Sequence, residues 1–336
     1  MKPLAIQARA CLRGLLLLTC VLQLGACASL TQPGPADRQA IAGKTFVVTG
    51  ASSGIGRAVA HELAASGANI VLAARRAEVL DEVAGEVRRV GGTPLVVVTD
   101  VSRAQEMERL AQAAIGHFGR IDVWINNAGV GALGRFEDVP ARDHARVIDV
   151  NVNGVIYGSH AALRQFIAQG RGTLVNISSV QGQIPTPYQS SYAASKAAVL
   201  GLGRALNQEL RLARRDRIRV VTVLPWAVDT PFFEHAANYT GRAARSIAYD
   251  DPTMVARAIV WVSLHPRDEF PVGWKAGGAY AGHNLLPALT ERVAADVEHA
   301  TQIESGPPAP PTSGNLHQPV RGGATVEGGL RSHSAR

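Results

Sequence analysis

Tyr192 and Lys196 are the pair in this chain best placed to move a proton, lying in the run Ser191-Tyr192-Ala193-Ala194-Ser195-Lys196. On a helix, residues four apart share a face, so the phenol and the ammonium reach into the same cleft. A free tyrosine, with a pKa near 10, is a poor base at neutral pH, but a neighbouring ammonium favours the phenolate, which makes Lys196 the tuning charge. Thirteen residues upstream, Ser179 ends the run Ile177-Ser178-Ser179, where its hydroxyl can hydrogen-bond a substrate oxygen. An exposed Tyr and Lys on any helix would show the same spacing, so this pattern gains its meaning from what surrounds it. Cys11, Cys20 and Cys27 are the three cysteines, and all precede residue 28. Residues 42–304 therefore hold no thiol for a disulfide, a thiolate metal site or a cysteine nucleophile.

A second cluster has the chemistry of an anion site. Thr49-Gly50-Ala51-Ser52-Ser53-Gly54-Ile55-Gly56 follows an apolar run and precedes a helical pattern of Ala58, Val59 and Leu63. Glycines there allow a tight turn and close backbone approach, and free amides with the positive end of the helix dipole meet a pyrophosphate. Gly50, Ser52, Ser53, Gly54, Ile55 and Gly56 are the residues of that turn. About 20 residues further on, where an NAD site would place an acid, stand Arg75 and Arg76. Guanidinium groups suit the 2′-phosphate of NADP, although an arginine pair can also simply begin a solvated helix. Asp100 could accept from an adenine amino group or cap the helix that starts near Ser102.

The elements that must position these residues are legible in the apolar pattern. Short runs at 46–49, 69–73, 95–99, 123–126, 173–177 and 219–224 alternate with amphipathic segments, which predicts a parallel sheet. The runs are apolar throughout, as strands covered by helices on both faces are. Of 336 residues, 46% are hydrophobic and 18% charged, a globular composition that excludes disordered, collagenous and polytopic membrane classes. The net charge is +7. Its excess lies mostly at the ends, in Lys2, Arg9, Arg13 and Arg38 and in Arg321, Arg331 and Arg336, so no nucleic-acid-binding stripe is expected.

Lys2, Arg9 and Arg13 precede an apolar stretch, Leu15 to Leu24, that ends in Leu24-Gly25-Ala26-Cys27. Residues 1–27 read as a signal peptide with a lipobox-like end, with an uncleaved membrane anchor or a start-site artefact as the alternatives. The first two make the protein membrane-associated, and the third leaves it cytoplasmic. Residues 28–41 read as a linker, 42–304 as the catalytic domain with a helical extension, and 305–336, rich in Pro and Gly, as a disordered tail.

With TGASSGIG at 49–56, NNAG at 126–129, Asn151, Ser179 and YAASK at 192–196, in that order and spacing, the chain resembles the short-chain dehydrogenase/reductase family over about residues 42–265. The resemblance implies an α/β fold, a Rossmann-like doubly wound parallel sheet of about seven strands with helices on both faces. It implies hydride transfer between a nicotinamide cofactor, here NADP(H) more than NAD(H), and a carbonyl or secondary alcohol. Tyr192 would be the general acid or base and Ser179 would orient the reacting oxygen. Lys196 would also hold the nicotinamide ribose, and Asn151 would keep a water in a proton relay. Val101, Asn126, Ala128 and Gly129 would lie by the cofactor, as would Pro225, Val228 and Thr230 after the sixth strand. Similar proteins are commonly dimers or tetramers, so a homo-oligomer is implied.

Trp226 stands where the family has glycine, so either that loop takes another path or the cofactor site is altered. A membrane-tethered binding or scaffold protein that keeps the fold without turnover is the alternative this residue motivates. Phe232, Phe233, His235 and Tyr239 suggest an aromatic-lined mouth for a lipophilic small molecule, or ordinary packing. Val272 to Lys275 is the expected seventh strand. Leu285 to Val297 reads as an amphipathic helix that could cover the core, join subunits or touch lipid.

Overall fold

The computed structural model describes residues 31–320 and 322–331. The signal-like segment, with all three cysteines, lies outside the described residues. Seven parallel strands form one sheet: β1 (Thr45–Thr49), β2 (Asn69–Ala74), β3 (Thr93–Val98), β4 (Val123–Asn126), β5 (Gly172–Ile177), β6 (Ile218–Leu224) and β7 (Glu269–Pro271). Their order is β3-β2-β1-β4-β5-β6-β7. The chain winds outward from β1 in one direction, then returns to β4 and winds in the other. That reversal opens a crevice between the carboxyl ends of β1 and β4, where such sheets bind ligands.

Strand residues alternate between two apolar layers. Phe46, Val48, Ile70 and Leu72 meet α2 (Gly54–Ala64), α3 (Ala77–Arg89) and α8 (Pro252–Leu264), which follow the short N-terminal helix α1 (Pro35–Ile41) in this numbering. Val47, Val71 and Trp124 meet α4 (Ala104–Phe118), α6 (Gly154–Gln169) and α7 (Ser190–Leu212) on the other face. The remaining helix of the body, α5 (Ala141–Ile148), runs into α6 through a π-helical turn at Asp149–Asn153. The Rossmann-like sheet expected from the alternating runs is therefore present. Pro94 lies within β3, which is tolerated because β3 is an edge strand.

Three expectations are corrected. The seventh strand is Glu269–Pro271, not residues 272–275, because Gly273 at φ +75° turns the chain out of extension and starts α9 (Gly273–Leu285). Part of the expected linker is α1, which has proline in its first turn and Asp37 accepting from the Gly34 amide at 3.0 Å, and Ile41 anchors it in the core. The described part of the C-terminal tail is not free: it has almost no regular structure, but Leu316 is fully buried and the backbone bonds to the domain. Composition reported that this segment cannot build a core of its own. It could not report that the domain supplies one.

Beyond α9, α10 (Pro287–His299) confirms the helix anticipated near 285–297. Among the described residues, no helix is long and apolar enough to cross a membrane.

Candidate active site

Thr49, the last residue of β1, ties the two sides of the crevice together. Its hydroxyl donates to the Ile125 carbonyl at 3.3 Å and accepts from the amides of Asn127 (3.0 Å) and Ala128 (3.1 Å). Asn127 returns the contact, its Nδ2 donating to the Thr49 carbonyl at 2.9 Å. The glycine turn leaves from this point. Gly50 and Gly54 adopt φ of +69° and +54°, a region that side chains resist. A Cβ on Gly56 would lie 2.3 Å from the Gly50 carbonyl, so Gly56 is fixed by helix-to-turn packing and does not line the crevice.

A continuous cavity of about 890 Å³ runs along the carboxyl edge of the sheet. At one end lie Gly50, Ser52, Ser53, Gly54, Ile55, Arg75, Arg76, Asp100, Val101, Ala128 and Gly129; at the other Ser179, Tyr192, Lys196, Pro225, Val228 and Thr230. The residues expected from sequence thus converge on one surface, with exceptions that have clear causes. Asn126 is buried under the sheet. Its Oδ1 accepts from Trp124 Nε1 at 2.7 Å, and its Nδ2 donates to Asn176 Oδ1 at 2.9 Å and reaches Ser159 Oγ at 3.3 Å. Asn127, which the sequence reading passed over, faces the cavity instead; strand alternation turns neighbours to opposite sides.

Asn151 sits in the π-helical turn between α5 and α6. Its Oδ1 accepts from the Val130 amide and its Nδ2 donates to the Val130 carbonyl, both at 2.9 Å, and Nδ2 also reaches Ser195 Oγ at 3.0 Å. Both amide hydrogens are used and one Oδ1 lone pair is left, but Asn151 is fully buried and is not among the residues that line the cavity.

Lys196 is buried and donates to the Ile177 carbonyl at 2.9 Å, with its Nζ 5.5 Å from the centre of the Tyr192 ring. Burial pushes the Tyr192 phenol up to about 12, opposed by the Ser179 hydroxyl, and pushes the Lys196 ammonium down to about 8. This corrects the expectation that the lysine lowers the tyrosine. The ammonium points to a carbonyl, and loss of water dominates both groups. At neutral pH the pair is a neutral phenol beside an ammonium, the form in which Tyr192 can donate a proton.

Asp100 accepts from the Ser102 amide (3.0 Å) and hydroxyl (2.8 Å) and from Arg146 at 2.9 Å. Although burial works the other way, these donors hold its carboxyl below the ordinary range. Arg146 had no signal in the sequence, being 46 residues from its partner. Trp226 lines the cavity, so the indole is part of the wall of the site. The φ of Trp226 is not positive, and the indole donates to the Ala248 carbonyl at 3.1 Å.

The substrate end is walled by Ile184, Phe232, Phe233 and Trp274, and by Leu289, Val293 and Val297 of α10. Phe232 lies 5.6 Å from the Tyr192 ring, centre to centre. His235 also lines the cavity, but Tyr239 does not: it donates to Asp143 on the far side of the loop. The helix 287–299 proves to be a wall of the site. It is tied to the start of α7 by Gln189 Nε2 donating to Glu298 at 3.1 Å and by Tyr188 paired with His299 Nδ1 at 2.6 Å. Burial raises the Glu298 carboxyl to about 7. Tyr188 holds φ +65°, strain that persists only where surrounding structure enforces it.

A strand-glycine-helix crevice joined to a Ser-Tyr-Lys cluster defines the class: an α/β oxidoreductase of the dinucleotide-binding kind. Residues 44–239 match the family model described as short chain dehydrogenase, and the chain belongs to that family. It is 34% identical to the uncharacterized oxidoreductase YxnA of Bacillus subtilis over 298 residues, 87% of this chain and 83% of that one, so the likeness reaches well past the family core. It is 37% identical to 3beta-hydroxysteroid dehydrogenase 1 of Eggerthella lenta, covering 66% of this chain and 87% of that protein. Among solved structures, the alcohol dehydrogenase of the archaeon Thermococcus sibiricus, complexed with 5-hydroxy-NADP, superposes with a TM-score of 0.59 at 28% identity, covering 68% of this chain and 94% of that one.

Asn126→Ala tests the division of labour in the crevice. It strands Trp124 Nε1–H and Asn176 in the core, so stability should fall by about 2–4 kcal/mol by urea denaturation, with cofactor affinity little changed in the folded protein.

Proposed function

We propose that the protein is an NADP-dependent reductase of lipophilic ketones, or dehydrogenase of the matching secondary alcohols. The carrying observation is one cavity that joins two guanidinium groups and a glycine turn at one end to a Ser-Tyr-Lys cluster under an apolar wall at the other. The residues present fit a dinucleotide. Gly54 N–H at the start of α2 suits a pyrophosphate, and Arg75 with Arg76 suits a 2′-phosphate better than a ribose hydroxyl. A bound nicotinamide would supply or accept hydride at the substrate carbon. Ser179 orients the substrate oxygen, Tyr192 gives it a proton in the reducing direction, and Lys196 keeps positive charge beside the phenol. Asn151 holds the loop at Val130 against this cluster. The name of the Eggerthella lenta relative and the aromatic wall both support a bulky alicyclic substrate. The run Leu24 to Cys27 supports a membrane tether.

Turnover of NADPH with a panel of cyclic and steroidal ketones, against small polar aldehydes, tests the reading. Tyr192→Phe should lose about 10²–10⁴-fold in turnover while still binding cofactor. Arg75→Ala should weaken NADPH by about 10–100-fold and leave NADH nearly unchanged, read by fluorescence titration. Equal turnover by the Tyr192→Phe variant would favour a binding role instead.

The pH profile has a definite sign. Lys196 is charged below its lowered pKa of about 8 and neutral above it, so ketone reduction should fall as pH rises through about 8. The neutral phenol of Tyr192, at about 12, persists across that window. The residual activity of Lys196→Arg should lack the alkaline limb.

A further inference from the structure

The C-terminal segment runs along the dinucleotide groove, where Asn315, Pro319 and Val320 join the walls of the cavity and the groove's donors bond to the segment's backbone. Leu316 is fully buried in the apolar cluster that contains Val101, with Ala128 packed against it, at the end proposed for adenine. Arg146 donates to the Leu316 carbonyl at 2.9 Å, and Arg75 to the Asn315 carbonyl at 2.7 Å. Arg76 donates to the Gly322 carbonyl at 2.9 Å and Arg57 to that of Ala324. The Gly54 amide, at the start of α2, donates to the Thr325 carbonyl at 2.9 Å. Past Thr230, the amides of Leu330 (2.8 Å) and Arg331 (3.0 Å) donate to the buried Asp229, and the Arg331 guanidinium pairs with Asp251 at 2.6 Å. The segment thus visits the adenine end, the arginine pair, the pyrophosphate turn and the nicotinamide side in the order in which an extended dinucleotide would span them.

From this geometry we propose that residues 312–320 and 322–331 form an autoinhibitory strap, a peptide stand-in for the cofactor that NADP(H) must displace; the proposal rests on the reading of the groove as a dinucleotide site. The Gly54 amide has one hydrogen and serves either the Thr325 carbonyl or a phosphate. Arg75 and Arg76 give the segment only some of their five N–H donors each, but the carbonyls they hold occupy the space beside those groups. The exchange is reversible because the strap offers neutral carbonyls where the cofactor offers charged oxygens, which attract a guanidinium more strongly and accept from it in bidentate fashion. Covalent attachment offsets that weakness by keeping the strap at high effective concentration. The resulting competition lowers the apparent affinity for the cofactor by the fraction of molecules with an open groove.

The strap is fitted to the domain. A Cβ on Gly314, which holds φ +52°, would lie 2.2 Å from the His235 carbonyl, and one on Gly323, at φ +62°, would lie 2.1 Å from His235 Nε2. Gly314→Val therefore unseats the strap from outside the residues proposed to bind cofactor.

The test is hydrogen exchange of the full chain with and without NADPH, beside fluorescence titration of NADPH on the wild type, Gly314→Val, and a chain ending at Ser305. Ligands ordinarily slow exchange in the segments lining their site. Here peptides within 312–331 should exchange at least tenfold faster when NADPH is present, and both altered chains should bind NADPH at least tenfold more tightly than the wild type. If NADPH binds while 312–331 stays equally or more protected, and the affinity of folded Gly314→Val is unchanged or weaker, the strap is a fixed wall of the site. The proposal then fails while the dinucleotide reading stands. If none of the three proteins binds NADPH or NADH, although circular dichroism shows the wild type and Gly314→Val folded, the dinucleotide reading fails and the strap proposal fails with it.

Discussion

The structure depends on how the chain closes the gap between β1 and β4. A loop leaves the sheet from each strand there, and the Thr49 hydroxyl at the end of β1 bonds the Ile125 carbonyl of β4 and two amides of the loop that follows β4. That one buried hydroxyl satisfies three backbone groups at the floor of the crevice. Everything above it inherits this registration: the glycine turn that starts α2, the Asn127–Val130 loop, and through Val130 the Asn151 side chain that reaches Ser195 on the catalytic helix. The two ends of the site are therefore parts of one hydrogen-bonded frame.

Desolvation sets the electrostatics. Tyr192 and Lys196 share a helix face and a cavity, yet each is moved toward its neutral form, because removal of water costs more than the attraction returns when the ammonium is turned to the Ile177 carbonyl. The result suits proton donation to a reducing substrate. The same loss of water raises the Glu298 carboxyl, on the helix that walls the site.

The core of the fold was legible because its strands are apolar on both faces and its helices on one, a pattern that any doubly wound sheet must carry. Most site residues were legible because they follow strand ends, and strand ends of a parallel sheet share an edge. The misreadings share another cause. Asn126 and Asn127 are identical in type, and only the pleat decides which faces the crevice. Tyr239 looked like a mouth residue until Asp143 was found beside it. Residues 272–275 have strand-like content, but the φ of Gly273 is a property of the backbone path, which no residue type states.

The sequence by itself determined the sheet, the glycine turn, the arginine pair and the spacing of Tyr192 and Lys196, since each is written in local order and periodicity. Tertiary structure alone decided the partners of Arg146, the closure of α10 over the substrate end, and the course of the C-terminal segment along the groove. Those contacts join residues up to about 270 apart, in segments with little apolar pattern of their own. Their stability comes from surface that exists only once the sheet has formed, so no window of sequence contains the information.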